Sequence, residues 1–179
     1  LKQRDGIYHF YRFERDVNWE AECVDAIKKL GLEELGESEF YPEELSKENK
    51  EITPYQLVEW LNLHNKRLIN LGFEILQPTG PSEYYIRNFE VKFDVSTPDD
   101  WFDLYGQVIL EGFSFPFSHL KKNILKNIRE FVLPNGQIFI LPNEWFARYK
   151  PIFYLGKESD EKIKIHKSLF NLLDETKIE

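Results

Sequence analysis

The stretch from Trp101 to Trp145 constrains the fold of this chain more than any other. Phe102, Leu104, Val108 and Leu110 alternate with other residues, the period of a strand with one buried face, and Gly106 allows a bulge or a close approach inside it. Upstream, Phe89, Val91, Phe93 and Val95 alternate with Asn88, Glu90, Lys92 and Asp94, and Ser96 to Asp100 supplies a turn, so an antiparallel pair is predicted. Downstream, Phe131 to Leu133 and Gln137 to Leu141 flank Pro134-Asn135-Gly136, and the Asn-Gly step predicts a hairpin with a type I′ turn. Between these β signals, Pro116 to Arg129 reads as a helix with Phe117, Leu120, Ile124 and Ile128 inward. Asn143 is placed to cap a further amphipathic element through Trp145, Phe146, Tyr149, Ile152 and Phe153, bent or broken at Pro151 and closed at Gly156.

The remaining chain is read around this centre. Gly6 to Phe13 predicts a strand covered on both faces, and Asp16 or Asn18 a helix burying Trp19, Cys23, Ala26, Ile27 and Leu30. Glu33 to Glu51 is strongly acidic and patternless, which predicts a solvated loop with a short helix near Pro42. Thr53-Pro54-Tyr55-Gln56 supplies a capping box with proline at the first helical position, and Leu57, Trp60, Leu61, His64, Leu68 and Leu71 form an apolar stripe behind it. Phe73 to Leu76 reads as a short strand, and the breaker cluster Gln77 to Pro81 as a subdomain boundary. Lys157 to Glu161 reads as a polar spacer before a short strand or turn and a C-terminal helix around Leu169, Phe170, Leu172 and Leu173. The fold expected is α+β, with antiparallel hairpins packed against several amphipathic helices: an N-terminal α/β part over residues 1–77 and a β-rich α+β part over 81–179.

Bulk properties narrow the function classes. No run approaches the roughly 18 consecutive apolar residues of a membrane span, so a soluble, cytoplasmic protein without membrane contact is expected. One cysteine excludes an internal disulfide and a cysteine-based zinc site. The chain has no Met and opens on Leu, which leads us to expect a fragment of something longer. Its net charge of -8 lowers the prospect of stand-alone DNA binding unless basic residues cluster. One such cluster exists: Lys121, Lys122, Lys126 and Arg129 on the predicted Pro116 to Arg129 helix, with Arg148 and Lys150 as possible neighbours, although a solvated helix face explains them as well. Tyr84 and Tyr85 are candidates for stacking on unpaired bases, with a boundary role as the plainer account.

Catalytic templates fail. There is no Gly-x-x-x-x-Gly-Lys-Ser/Thr loop, no Gly-x-Gly-x-x-Gly and no Gly-x-Ser-x-Gly elbow, and His9, His64, His119 and His166 lie on four different elements without zinc-ligand spacing. Pro98-Asp99 with Asp160-Glu161-Lys162 superficially matches the acids and lysine of a metal-dependent nuclease, but turn chemistry suffices for Asp99 and Asp100, and Lys162 is expected in a linker.

The order of signals resembles the region preceding the ATPase motor in bacterial SWI/SNF-family helicases, particularly those of the Bacteroides kind. The residues that carry it are the Trp101-Phe102-Asp103 strand, the Leu120 and Ile124 helix, the Phe131 to Gly136 hairpin, Leu141-Pro142-Asn143-Glu144-Trp145, and Lys164 to Glu175. The resemblance covers roughly residues 89 to 175. It implies a non-catalytic accessory domain of a DNA-dependent ATPase, positioning DNA or a partner or restraining the motor. The adjacent motor domain would be its partner, with DNA as a second. ATP and magnesium would belong to the parent motor alone, so no cofactor and no catalytic or metal-binding residue is expected in this chain. The alternative from another class is a free-standing interaction module whose acidic Glu33 to Glu51 surface meets a basic partner.

Overall fold

A computed structural model describes residues 2–4, 7–9, 14–36, 39–43, 53–78, 83–159 and 161–175. The fold is α+β, and the chain forms two compact units, residues 1–50 and 51–179. The helix that follows Thr53 therefore belongs to the second unit, whereas the sequence suggested a boundary at Gln77 to Pro81.

The first unit contains an antiparallel pair, β1 (Lys2–Arg4) with β2 (Ile7–His9), then α1 (Val17–Lys29) and a second hairpin, β3 (Leu32–Gly36) with β4 (Glu39–Pro42). The Asp16 side chain caps α1 by accepting from Trp19 N. Its expected buried stripe does not form: no residue of α1 is buried, Trp19 is 62% exposed and Cys23 is half-buried. The acidic stretch expected as a loop begins instead as the β3–β4 hairpin, where Glu33 pairs with Tyr41 and Glu34 with Phe40. Residues 6 and 10–13 of the first predicted strand and 37–38 and 44–51 of the acidic stretch lie outside the described residues.

In the second unit, α2 (Pro54–Asn70) carries the capping box, with Gln56 Oε1 accepting from Thr53 N at 3.0 Å. Its buried face is Val58, Trp60, Asn62, Asn65 and Leu68, so two asparagines stand where the apolar stripe was expected and Leu71 is exposed. Asn65 is held there because its Nδ2 donates to Ile86 O at 2.9 Å. Phe73 to Leu76 forms no strand, and Leu76 is exposed.

The sheet is ordered β10–β11–β6–β5 (Lys157–Ser159, Lys162–His166, Trp101–Leu110, Phe89–Ser96), all antiparallel, with β7 (Phe113–Pro116) also pairing β6. Two strands thus share one edge of β6: β11 along Trp101 to Tyr105 and β7 along Gln107 to Leu110. Lys157 to Ser159, read from sequence as spacer, forms the edge strand. The inner face carries Leu104, Val108, Leu110, Phe115, Ile163 and Ile165. Gly106 sits among them because a Cβ there would meet Phe93 Cε1 at 2.6 Å and Phe117 Cβ at 2.7 Å.

The helix expected over Pro116 to Arg129 is a shorter device. Pro116 ends β7, Phe117–Leu120 is a 3-10 turn, and only Lys121–Lys126 (α3) is α-helical. Asn127, left-handed at φ 55°, stops it, and Ile128 then lies exposed rather than inward. The hairpin β8 (Glu130–Val132) with β9 (Ile138–Ile140) forms as expected. Its turn differs: Gly136 alone is left-handed at φ 86°, with Gly136 N donating to Leu133 O and Leu133 N to Gln137 O. That is a type I turn closed by a left-handed glycine bulge, since Pro134 presets the first corner and a type I′ turn needs Asn135 left-handed too. Asn143 is the first residue of α4 (Asn143–Leu155), following Pro142, and its N–H is satisfied by Glu59 Oε1 at 2.8 Å. The helix runs through Pro151 without breaking and ends at Gly156. After a 3-10 turn at Lys167–Leu169, α5 (Phe170–Glu175) closes the described chain, burying Leu173 and leaving Phe170 exposed. Trp145, Tyr149, Ile152 and Phe153 of α4 pack with Phe117 and Phe139 against the sheet, filling the one large core.

Candidate nucleic-acid interface

The basic cluster read from sequence is taken apart by the fold. The Arg129 guanidinium meets Glu59 Oε1 at 2.6 Å, donates to Leu141 O and lies over the Tyr55 ring, so it is an internal strut. Lys121 is paired with Glu158 at 3.0 Å. Lys122 and Lys126, four residues apart on α3, remain exposed. Lys150 donates to Asn127 Oδ1. Tyr85 is buried, its hydroxyl donating to Asn88 O and accepting from Glu111 N, which removes it from any stacking role; burial also pushes its hydroxyl pKa up. Tyr84 is half-buried beside Gln77.

A different surface brings aromatic and basic groups together: the outer face of the sheet. Because side chains alternate, the residues of β6 not facing the core are Trp101, Asp103, Tyr105, Gln107 and Ile109. Cross-strand register places His166 opposite Trp101, Lys164 opposite Asp103 and Lys162 opposite Tyr105, and on the next strand Lys157 opposite Lys164. Lys157 Nζ stands 5.2 Å from the Trp101 ring centroid and Lys162 Nζ 5.6 Å from that of Tyr105, while the His166 ring meets Trp101 edge-on. On the other flank, β5 contributes Glu90, Lys92, Asp94 and Ser96. The face therefore grades from three lysines at β10 and β11 to carboxylates at β5.

Asp103 is the pivot of this face, 4% exposed, with Oδ2 held by Lys162 Nζ at 2.5 Å and Oδ1 without a hydrogen-bond partner. Bonds from Asp103 and Tyr105 raise the Lys162 pKa and keep it charged. Lys162 lies on a strand beside the Trp101 strand, not in the linker expected. Its carboxylate partner is Asp103, however, and not Asp99, which sits in the β5–β6 turn with its carbonyl accepting from Lys167. Asp160 lies outside the described residues, and among the described residues no three His, Cys, Asp or Glu side chains are placed to hold a metal ion. No helix among the described residues is long and apolar enough to cross a membrane.

What the arrangement offers chemically is a platform with two ring systems four residues apart on one strand and ammonium groups beside them. Rings of this kind stack on bases, and lysines neutralise phosphates. Two lysines directly opposite each other, Lys157 and Lys164, repel, and like charges so placed destabilise a sheet. The sequence carries the two halves as the alternations Trp101-x-Asp103-x-Tyr105 and Lys162-x-Lys164-x-His166, but only the fold joins them, because β11 pairs with a strand some sixty residues earlier. Comparison with known proteins finds no family model, no curated protein and no solved structure that matches the chain.

Proposed function

We propose that the chain is a non-catalytic accessory region of a SWI/SNF-type DNA-dependent ATPase, and that the Trp101 face of its sheet, rather than α3, is what it offers to nucleic acid. The resemblance supports the first half, since its residues are the ones that build the main core: Trp101 to Leu110 is the central strand, and Leu120, Ile124 and Trp145 pack behind it. The observation that carries the second half is the Lys157–Lys164 pair, two like charges directly opposite each other on the strands beside Trp101.

Binding of a fluorescent oligothymidine and of a duplex, followed by anisotropy over a salt series, tests the surface. Lys157→Glu with Lys164→Glu weakens binding and lowers the single-strand salt slope by roughly 1.4, two phosphate contacts at about 0.7 each. Tyr105→Ala costs about tenfold through lost stacking. Lys122→Glu with Lys126→Glu leaves affinity unchanged. The opposite pattern, or a protein that binds neither probe at low salt, overturns the assignment. The link to a motor is tested by the coding sequence beyond Glu179: a Walker-type phosphate-binding motif is expected within about a hundred residues, and its absence overturns the link.

A further inference from the structure

Asn62 is a buried polar residue on a helix face that should be apolar: it is 8% exposed and its Oδ1 meets no hydrogen-bond donor. Buried amides normally find partners, so an orphan needs a reason. Asn62 lines a cleft of about 370 Å³ between α2 and the β9–α4 corner. Its other walls are apolar at Leu63, Phe89, Ile140 and Pro142, and acidic at Glu59 and Glu144; no basic side chain lines it. Glu59 Oε1 accepts from Asn143 N and meets Arg129 at the edge of the cleft that Glu59 lines. Glu144 is exposed in the first turn of α4.

We infer that this cleft takes the side chain of a lysine presented by a partner protein, with its methylenes against the apolar walls and its ammonium shared among Asn62, Glu59 and Glu144. An ammonium has three donors that can diverge, which suits three acceptors on three different side chains, whereas the planar arginine fork suits a single carboxylate. The terminal amide torsion of asparagine is soft, so Oδ1 can turn toward the cleft when a donor enters. A protein segment is favoured over a free amine because the cleft shares Asn88 and Phe89 with a wider trough of about 750 Å³ that runs on past Asn65 to Asn70, where the chain flanking the lysine would lie. The inference does not depend on the nucleic-acid surface, which is on the opposite face of the sheet from Phe89.

The test is titration of the ¹⁵N-labelled full chain with Nα-acetyl-lysine N-methylamide, followed by NMR at the Asn62 side-chain amide and the Ile140 backbone. Saturable shifts at both are expected, with a Kd on the order of 1 mM for so small a probe. The norleucine analogue, which keeps the stem and lacks the charge, gives no saturable shift, and the arginine analogue binds more weakly than lysine. Glu144→Gln, a surface change that leaves the fold intact, loosens the lysine probe about two- to fivefold. Asn62→Leu abolishes the shifts at Ile140; should that variant not fold, the Glu144→Gln and norleucine arms decide. Absence of saturable shifts at tenfold excess over that Kd, equal response to norleucine, stronger binding of arginine, or an unchanged Kd in Glu144→Gln each overturns the assignment.

Discussion

Replacing Arg129 by alanine separates a structural role from a nucleic-acid role. Its side chain is 18% exposed and that of Glu59 29%, and the pair spans 2.6 Å. At an effective dielectric near 20 that separation gives about 6 kcal/mol of gross attraction. Desolvation of both groups offsets most of it, leaving net contributions nearer those of charge-assisted hydrogen bonds, about 1.5–3 kcal/mol. Two further contacts go with the guanidinium, its bonds to Leu141 O and its position over Tyr55, worth about another 0.5–1 kcal/mol for the ring at a partly exposed site. Glu59 keeps Asn143 N as a donor, which limits the penalty on the abandoned carboxylate. The expected loss is therefore about 2–3 kcal/mol, or roughly 1 M in the urea midpoint at a slope of about 2 kcal/mol/M. Glu59→Gln alone should cost less, and the double variant should fall short of the sum by about 1–2 kcal/mol, the coupling of groups in direct contact. Additive losses, or an Arg129→Ala protein as stable as the parent but impaired only in binding nucleic acid, would refute the strut.

Other substitutions probe the same structure. Gly106→Ala drives a methyl into the Phe93 ring and Phe117 Cβ, and a loss of about 1–3 kcal/mol is expected by denaturation; Phe93→Leu in the same chain should recover part of it, since two of the three close atoms belong to the Phe93 ring. Asn127→Ala puts at φ 55° a residue that tolerates the left-handed region less well than asparagine and removes the acceptor for Lys150, costing about 1–2 kcal/mol, while Asn127→Gly should cost less. The Tyr149 hydroxyl is pushed above its ordinary value by burial, so the folded state holds that proton more tightly than the unfolded chain. Its contribution is intact below about pH 10 and is lost as pH rises through the higher folded value; Tyr149→Phe should accordingly flatten the alkaline arm of a stability–pH curve.

Signals that act over a few residues were legible in advance: the Thr53 capping box, the alternation of Phe89 to Val95, the paired strands around Ser96 to Asp100 and the Pro134-Asn135-Gly136 reversal. Errors arose where a neighbour far along the chain decides the outcome. Lys157 to Ser159 has no apolar residue to announce a strand, and it becomes one by pairing with β11. Asn62 and Asn65 break the apolar pattern of α2, and only the Ile86 carbonyl accounts for Asn65. The Lys121 to Arg129 cluster looked uniform because periodicity cannot show that Arg129 leaves the helix after Asn127 and turns toward Glu59. The platform at Trp101 depends on a distant neighbour in the same way: its two alternations are legible separately, but Lys162 and Asp103 are 59 positions apart and only the fold pairs them.

The divided edge of β6 sets an order of assembly. β5, β6 and β7 are consecutive hairpins and can zip locally, but the Trp101 to Tyr105 half stays unpaired on one side until Lys162 to His166 has been made and has folded back. Non-local pairing of this kind is slow, and an open strand edge is a template for other chains. A polypeptide cut short before Lys162, by a nonsense codon or a protease, would expose that half-edge beside an uncovered Leu104, and self-association is the fate to expect of it.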